Sequence, residues 1–223
     1  MGERRKVLLS WSSGKDSAWA LHVLRQRQDL EVVALLTTFN QTAGRVAMHA
    51  VRERLVELQA EAVGLPLWKV YIPGRCSNDE YEAAMAATMT RALAVGIGSV
   101  AFGDLFLQDV RDCREQKLAG TGIEPLFPLW CRPTDVLARG MVAAGLRAVV
   151  TCVDPRALDR SFVGRTFDGA FLNDLPLRVD PCGEHGEFHT FVWAGPMFSK
   201  PIAVAPGEIV ERDGFVFADV VPA

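Results

Sequence analysis

Two clusters of residues in this sequence have the means to do chemistry. The first is Ser10-Trp11-Ser12-Ser13-Gly14-Lys15-Asp16-Ser17, which follows an apolar run and leads into a helical pattern with Ala20, Val23 and Leu24 on one side. A helix start offers unpaired backbone N–H groups and the positive end of the dipole, and small serines with Gly14 let an anion approach the main chain. Lys15 adds a point charge for phosphate, and Asp16 either caps the helix or holds a magnesium ion that shields the phosphates. The segment therefore reads as a phosphate-binding loop, against the plainer alternative of a serine-capped helix. It is not a Walker A loop, because Leu9 stands where that motif needs glycine and Asp16 where it needs Ser or Thr.

The second cluster lies in the tail, where Asp180, Glu184, His185, Glu187 and His189 crowd an otherwise apolar stretch beside Gly183 and Gly186. Carboxylates so placed suit binding or proton transfer, with Glu184, Glu187 and His189 as the candidate catalytic groups. Cys182, His185 and His189 also have the look of metal ligands, but structural zinc takes four donors and no second pair lies nearby. Gly103 and Asp104 follow an apolar strand, where nucleotide or magnesium contact competes with helix capping. Thr37 and Thr38 end another strand, at a position suited to adenosine, and His49 stands at a helix start beside the Gly44 loop, within reach of the same pocket. Arg111, Arg114 and Lys117 make a basic helix face, either solvated or turned to an anion.

These residues need a scaffold, and the apolar runs describe one. Lys6 to Ser10, Glu31 to Thr38, Leu67 to Ile72, Ser99 to Phe102 and Arg147 to Val153 read as continuous buried strands, the mark of a parallel sheet covered on both faces. Between them, Val51, Leu55, Leu58 and Ala62 give one apolar helix stripe ending near Gly64-Leu65-Pro66, and Tyr81, Met85, Met89 and Ala92 give another, with its methionines as core. The alternation predicts an α/β doubly wound parallel sheet that binds ligands beyond the carboxyl ends of its strands. From about Asp154 the helical rhythm gives way to Phe188 to Trp193, Ile202 to Val204, Ile209 to Arg212 and Phe215 to Val221, all read as strands, with a hairpin turn at Asp213-Gly214. The expected division is a phosphate-binding α/β domain over 1–153 and a small β-rich C-terminal domain over 154–223.

A net charge of −3, with no basic run beyond Arg4-Arg5-Lys6, disfavours a stable nucleic-acid partner. Five widely spaced cysteines without a Cys-x-x-Cys fit a reducing cytoplasm better than a disulfide framework. No stretch approaches the roughly 20 apolar residues of a membrane span, so no membrane partner is expected. The oligomeric state stays open, a homodimer included.

Ser12-Ser13-Gly14-Lys15-Asp16-Ser17 resembles the Ser-Gly-Gly-x-Asp-Ser loop of the N-type ATP pyrophosphatases, the PP-loop or adenine nucleotide alpha hydrolase superfamily. About 170 residues on, Cys182-Gly183-Glu184-His185-Gly186-Glu187-Phe188-His189-Thr190 resembles the Gly-Glu-Gly-Gly-Glu-[Phe/Tyr]-Glu-Thr segment of diphthine-ammonia ligases. Gly103-Asp104 and the stretch from Arg111 to Pro128-Leu129-Trp130 look like that family too. The departures are Ser13, His185 and His189, at positions where those motifs have Gly, Gly and Glu. The resemblance implies a Rossmann-like fold, ATP and magnesium as cofactors, and attack of a substrate carboxylate on the α-phosphate. Pyrophosphate would leave, and ammonia would capture the acyl-adenylate to form an amide. The alternatives are an RNA-modifying PP-loop enzyme, which would want reactive cysteines and basic surface, and a nucleotide-binding regulator that does not turn ATP over.

Overall fold

The computed structural model describes residues 4–42, 44–46 and 51–223. In chain order the first part comprises β1 (Arg5–Ser10), α1 (Lys15–Leu24), β2 (Leu30–Asn40), β3 (Arg45–Val46), α2 (Glu53–Val63), β4 (Leu67–Ile72), α3 (Asn78–Ala94), β5 (Ser99–Ala101), α4 (Gln108–Leu118) and β6 (Glu124–Leu126). The second comprises α5 (Thr134–Ala143), β7 (Arg147–Val153), α6 (Gly169–Asp174), β8 (Phe188–Ala194), β9 (Val204–Arg212) and β10 (Phe215–Pro222).

Strands β4, β2, β1, β5 and β6 lie side by side in that order, every pair parallel. Strand β3 adds two antiparallel pairs at the far end of β2. Because successive strand residues face opposite sides, β1 feeds two cores at once. Val7 and Leu9 join α1 and α2 in one, while Leu8 joins Met89, Ala92 and Leu118 of α3 and α4 in the other. Strand β2 repeats this, with Leu35 and Phe39 on the first side and Ala34 and Leu36 on the second. The sheet is thus covered on both faces, as its apolar strands require. Helix α2 ends on Gly64 at φ 70°, in the left-handed C-terminal position.

Strand Arg147–Val153 forms but does not extend the parallel sheet. It lies antiparallel between β8 and β10 in a second sheet ordered β8-β7-β10-β9. An unbroken apolar run reports burial on both faces and says nothing of the direction of its neighbours. The fifth parallel strand is instead β6, three residues with Pro125 at the centre, too short to leave a pattern. Nor does helix disappear after Asp154. Asp168 caps α6 by accepting from the Phe171 amide at 2.8 Å, and Asp159 caps a short 3-10 turn at Arg160–Phe162. Strand β9 is continuous where two short strands are expected, and Ile202 lies outside it. The β9–β10 hairpin turns on Asp213 and Gly214, at φ 53° and 79°, the pair of positive values that a tight two-residue turn demands.

The two sheets share one core. Leu9, Leu21 and Leu55 pack in the same cluster as Val150, Phe188 and Phe191. At its centre stands Gln59 of α2, fully buried. Its Oε1 accepts from the Trp11 indole at 2.8 Å, while its Nε2 donates to the carbonyls of Ser13, at 3.0 Å, and Val192, at 2.6 Å. A single amide therefore joins the loop after β1 to strand β8. We expect Gln59→Leu to cost about 2–4 kcal/mol in urea denaturation, since an unmade buried hydrogen bond costs about 1–3 kcal/mol. The Trp11 indole loses its acceptor and the Ser13 and Val192 carbonyls each lose one donor, the Ser13 carbonyl keeping the Val192 amide. An unchanged midpoint would show that the amide holds nothing together.

Candidate active site

The loop after β1 is shaped by contacts that come from elsewhere in the chain. Ser13 sits at φ 72°, an uncommon backbone state for a residue with a side chain. It is kept there by its carbonyl, which accepts from the Val192 amide at 3.1 Å as well as from Gln59. The Thr37 hydroxyl donates to the Trp11 carbonyl at 2.7 Å and braces the turn from behind. Gly14, at φ −85°, needs no special backbone freedom. Its bare Cα admits the Thr190 carbonyl of β8, which a Cβ would meet at 3.2 Å. The Thr190 hydroxyl in turn accepts from the Lys15 amide at 3.1 Å. Gly103, just past β5, lies so close to the first turn of α1 that a Cβ would come within 3.0 Å of the Asp16 carbonyl carbon and the Ser17 nitrogen.

Lys15 is buried, and its amine reaches Asp16 Oδ2 at 2.8 Å and also the Cys182 carbonyl. Burial alone would strip its proton, but the Asp16 carboxylate, with Cys182 and Glu184 nearby, more than offsets this and holds the ammonium charged. The rings of Phe188 and Phe167 lie 5.3 and 5.9 Å from that nitrogen. The lysine read as a free charge for phosphate is thus already engaged, as the pin between the loop and the acidic tail. Among the described residues Asp16 makes no capping hydrogen bond, and its other oxygen, Oδ1, is buried with no hydrogen-bond partner.

The tail segment folds on its own carboxylates. Asp180 Oδ2 accepts from the amides of Cys182, at 3.1 Å, and Glu184, at 2.9 Å. Gly183 at φ 68° turns the chain where a Cβ would strike the Phe188 carbonyl at 2.8 Å. Glu187 points inward, one oxygen accepting from the Asp180 amide at 3.0 Å and the other buried without a partner. Glu184 points the other way, toward the loop, and takes the Leu105 amide at 2.7 Å. Burial, helped by the Asp16 and Asp104 charges and opposed by the Leu105 amide and Lys15, pushes its carboxyl up to about 7. His189 is driven the opposite way on the scale, to about 4, by burial and then by Lys15, so its imidazole is neutral at neutral pH.

Between loop and tail lies a cavity of about 230 Å³. Ser12, Gly14, Lys15, Asp16, Ser17, Gly103, Asp104, Glu184 and His189 all line it, together with Arg114 of α4. Arg114 grips Asp104 through Nε at 2.6 Å, whereas Arg111 pairs with Glu115 and Lys117 with Glu82. The structure does not bring Ser13, Thr37, Thr38 or Glu187 to the cavity wall; Ser13, Thr37 and Glu187 shape or brace it, while Thr38 pairs with Val70 of β4. His49 lies outside the described residues. Gln59 and the Leu105 amide escaped the sequence reading, and Thr190 entered it only as the end of a motif, although Gln59 stands four residues after Leu55 on an apolar stripe, where a polar residue signals a buried partner. Burial raises the Cys182 thiol and pushes Cys152 up to about 12, so neither is a ready thiolate.

The profile for the diphthamide synthase N-terminal domain matches residues 5–123 and that for the diphthamide synthase C-terminal domain matches residues 133–219. The chain belongs to the diphthamide synthase family. It is 27% identical to the diphthine–ammonia ligase of Homo sapiens, over 94% of this chain and 86% of that one. To the Danio rerio diphthine–ammonia ligase it is 27% identical, over 94% and 90%. The Schizosaccharomyces pombe diphthine–ammonia ligase matches at 28% over 93% of this chain, which spans only 37% of that longer protein.

In this diphthamide synthase family member, no group of three or more His, Cys, Asp and Glu among the described residues could hold a metal ion. Nor is any described helix long and apolar enough to cross a membrane. The Glu184 carboxyl gives a test in solution. Its folded value of about 7 exceeds the ordinary 4.5, so the stability tied to its proton is complete below 4.5 and is lost as pH rises through 7. Between about pH 5 and 8, urea melts should show wild type losing stability relative to Glu184→Gln, which keeps an oxygen for the Leu105 amide. Parallel pH curves for the two proteins would rule out a perturbed Glu184.

Proposed function

We propose that this protein is an ATP-dependent, amide-forming ligase that adenylates a carboxylate substrate and transfers ammonia to it. The observation that carries the reading is the placement of Glu184, titrating near neutrality, across one cavity from the first turn of α1 and Gly103. The names of the relatives, diphthine–ammonia ligases, supply the reaction class. A cavity of about 230 Å³ is small beside the roughly 300–1,000 Å³ of whole small-molecule sites, which suits the phosphate end of ATP, with the nucleoside beyond it.

In the proposed first step a substrate carboxylate oxygen attacks the α-phosphorus and the bond to the bridging oxygen breaks. Pyrophosphate leaves with the bonding electrons. The α1 first turn and Arg114 face the phosphates with positive potential, while the buried Lys15–Asp16 pair keeps the loop in shape. In the second step ammonia attacks the acyl carbon, the bond to the adenylate oxygen breaks, AMP departs, and Glu184 takes the proton that nitrogen gives up. A magnesium ion carried in on the phosphates would shield their charge, and Asp16 Oδ1, an oxygen without a hydrogen-bond partner, fits as its protein ligand. Cys182, the one cysteine lining the loop cavity among the described residues, has its thiol held protonated by burial, which weighs against a sulfur-transferring, RNA-modifying role.

Incubation with α-labelled ATP, magnesium, ammonium and a panel of carboxylic acids should release AMP and pyrophosphate in equal amounts. Glu184→Gln should lower that rate by about 100-fold or more, the usual contribution of a positioned acid–base group. ATP that binds and stays intact under every acid would replace this reading with that of a nucleotide sensor.

A further inference from the structure

His189 and Gly186 belong to two cavities at once. On the far side from the phosphate loop they border a second one, of about 400 Å³, whose other walls come from the β9–β10 hairpin, the end of β7 and the end of β2. A molecule lying there with one end past His189 would reach the place where the α-phosphate is proposed to sit. The floor is Phe215 and Phe217, their ring centres 6.4 Å apart.

Each ring already has a cation over it. The Arg156 guanidinium stands 5.8 Å from the Phe215 centre and the Arg212 guanidinium 5.1 Å from the Phe217 centre. A quaternary ammonium, which binds by lying on such faces, would meet two like charges instead. Of the cavity's three arginines, Arg156 is committed to Asp154, with contacts of 2.7–3.2 Å, and Arg45 to Asp219, at 2.8 and 3.3 Å. The nearest acid to Arg212 is Asp213 at 3.7 Å, beyond hydrogen-bond reach, and that carboxylate is 87% exposed. Asp154 and Asp213 are the acidic groups on the wall, the first neutralised by Arg156 and the second turned to water.

Resting on the ligase reading, we propose that this second cavity seats the acceptor and that the acceptor is a compact diacid. One carboxylate passes between His189 and Gly186 toward the phosphate loop, and the other anionic end is held by Arg212. A guanidinium is a fork-shaped donor set that pairs with a carboxylate in two parallel hydrogen bonds, and that of Arg212 lies over the Phe217 ring.

Calorimetry on the full chain tests this with straight diacids from succinate to adipate, with propionate, and with choline. The best diacid should bind saturably, propionate about tenfold more weakly and choline not at all. Arg212→Gln should weaken the diacid about tenfold while leaving ATP affinity unchanged, because Arg212 does not line the loop cavity. Choline binding as tight as the diacid, or a diacid indifferent to Arg212→Gln, would overturn the anionic subsite. Diacid binding that depends on Arg212 but never stimulates AMP release, in a protein that consumes ATP with some other acid, would overturn its role as acceptor. A protein that binds the diacid through Arg212 but never consumes ATP would instead overturn the ligase reading on which that role rests.

Discussion

A buried ammonium is costly unless something keeps it company, and Lys15 is kept by three things at once. Asp16 neutralises it, the Cys182 carbonyl accepts from it, and the faces of Phe188 and Phe167 lie against it. Only Asp16 comes from the loop itself; Cys182, Phe188 and Phe167 come from the far end of the chain. The loop therefore cannot hold its shape until the acidic segment has packed on it. Removing one partner would leave an uncompensated charge in the core, so the Lys15 pin acts as an assembly condition for the cavity more than as a reservoir of stability.

Around that pin the backbone is closed by neutral hydrogen bonds. The Val192 amide and Gln59 share the Ser13 carbonyl, and Thr190 takes the Lys15 amide. The Val192 and Thr190 contacts join the loop after β1 to the antiparallel sheet, and the two sheets share one apolar cluster. Glycines matter here for what they leave out: the missing Cβ is the space into which other main chain fits, that of β8 at Gly14 and that of the first turn of α1 at Gly103. The loop's edge on the cavity is thereby reduced to backbone and small side chains, with the charged groups Arg114, Asp104 and Glu184 arranged around its rim.

Sequence alone revealed what depends on local pattern. The strand–loop–helix at Ser10 to Leu24 shows in the shift from an apolar run to small residues and then to helical spacing, and the Asp213-Gly214 turn shows in residues that tolerate positive φ. The acidic tail showed as a dense polar cluster, and the structure does set Glu184 and His189 across from the loop. What was illegible depends on partners distant in sequence. Arg147–Val153 carries no mark of which strands flank it, and the loop lysine looks the same whether it faces a phosphate or a carbonyl 167 residues away. Glu184 and Glu187, three residues apart in one motif, were indistinguishable until the turn at Gly183 and Gly186 sent one outward and the other inward.

The same burial that raises Glu184 lowers His189, and both shifts favour the uncharged form. In the proposed reaction the cavity's charge then follows the chemistry. ATP brings negative charge beside Glu184, which like-charge repulsion pushes further toward its protonated form, so no second carboxylate competes with the substrate's own for the α-phosphorus. When pyrophosphate departs, much of that charge departs with it, and the ionised form of Glu184 becomes easier to reach at the stage where ammonia must lose a proton. The base thus becomes available after adenylation, and the timing follows from electrostatics without requiring any element of the fold to move.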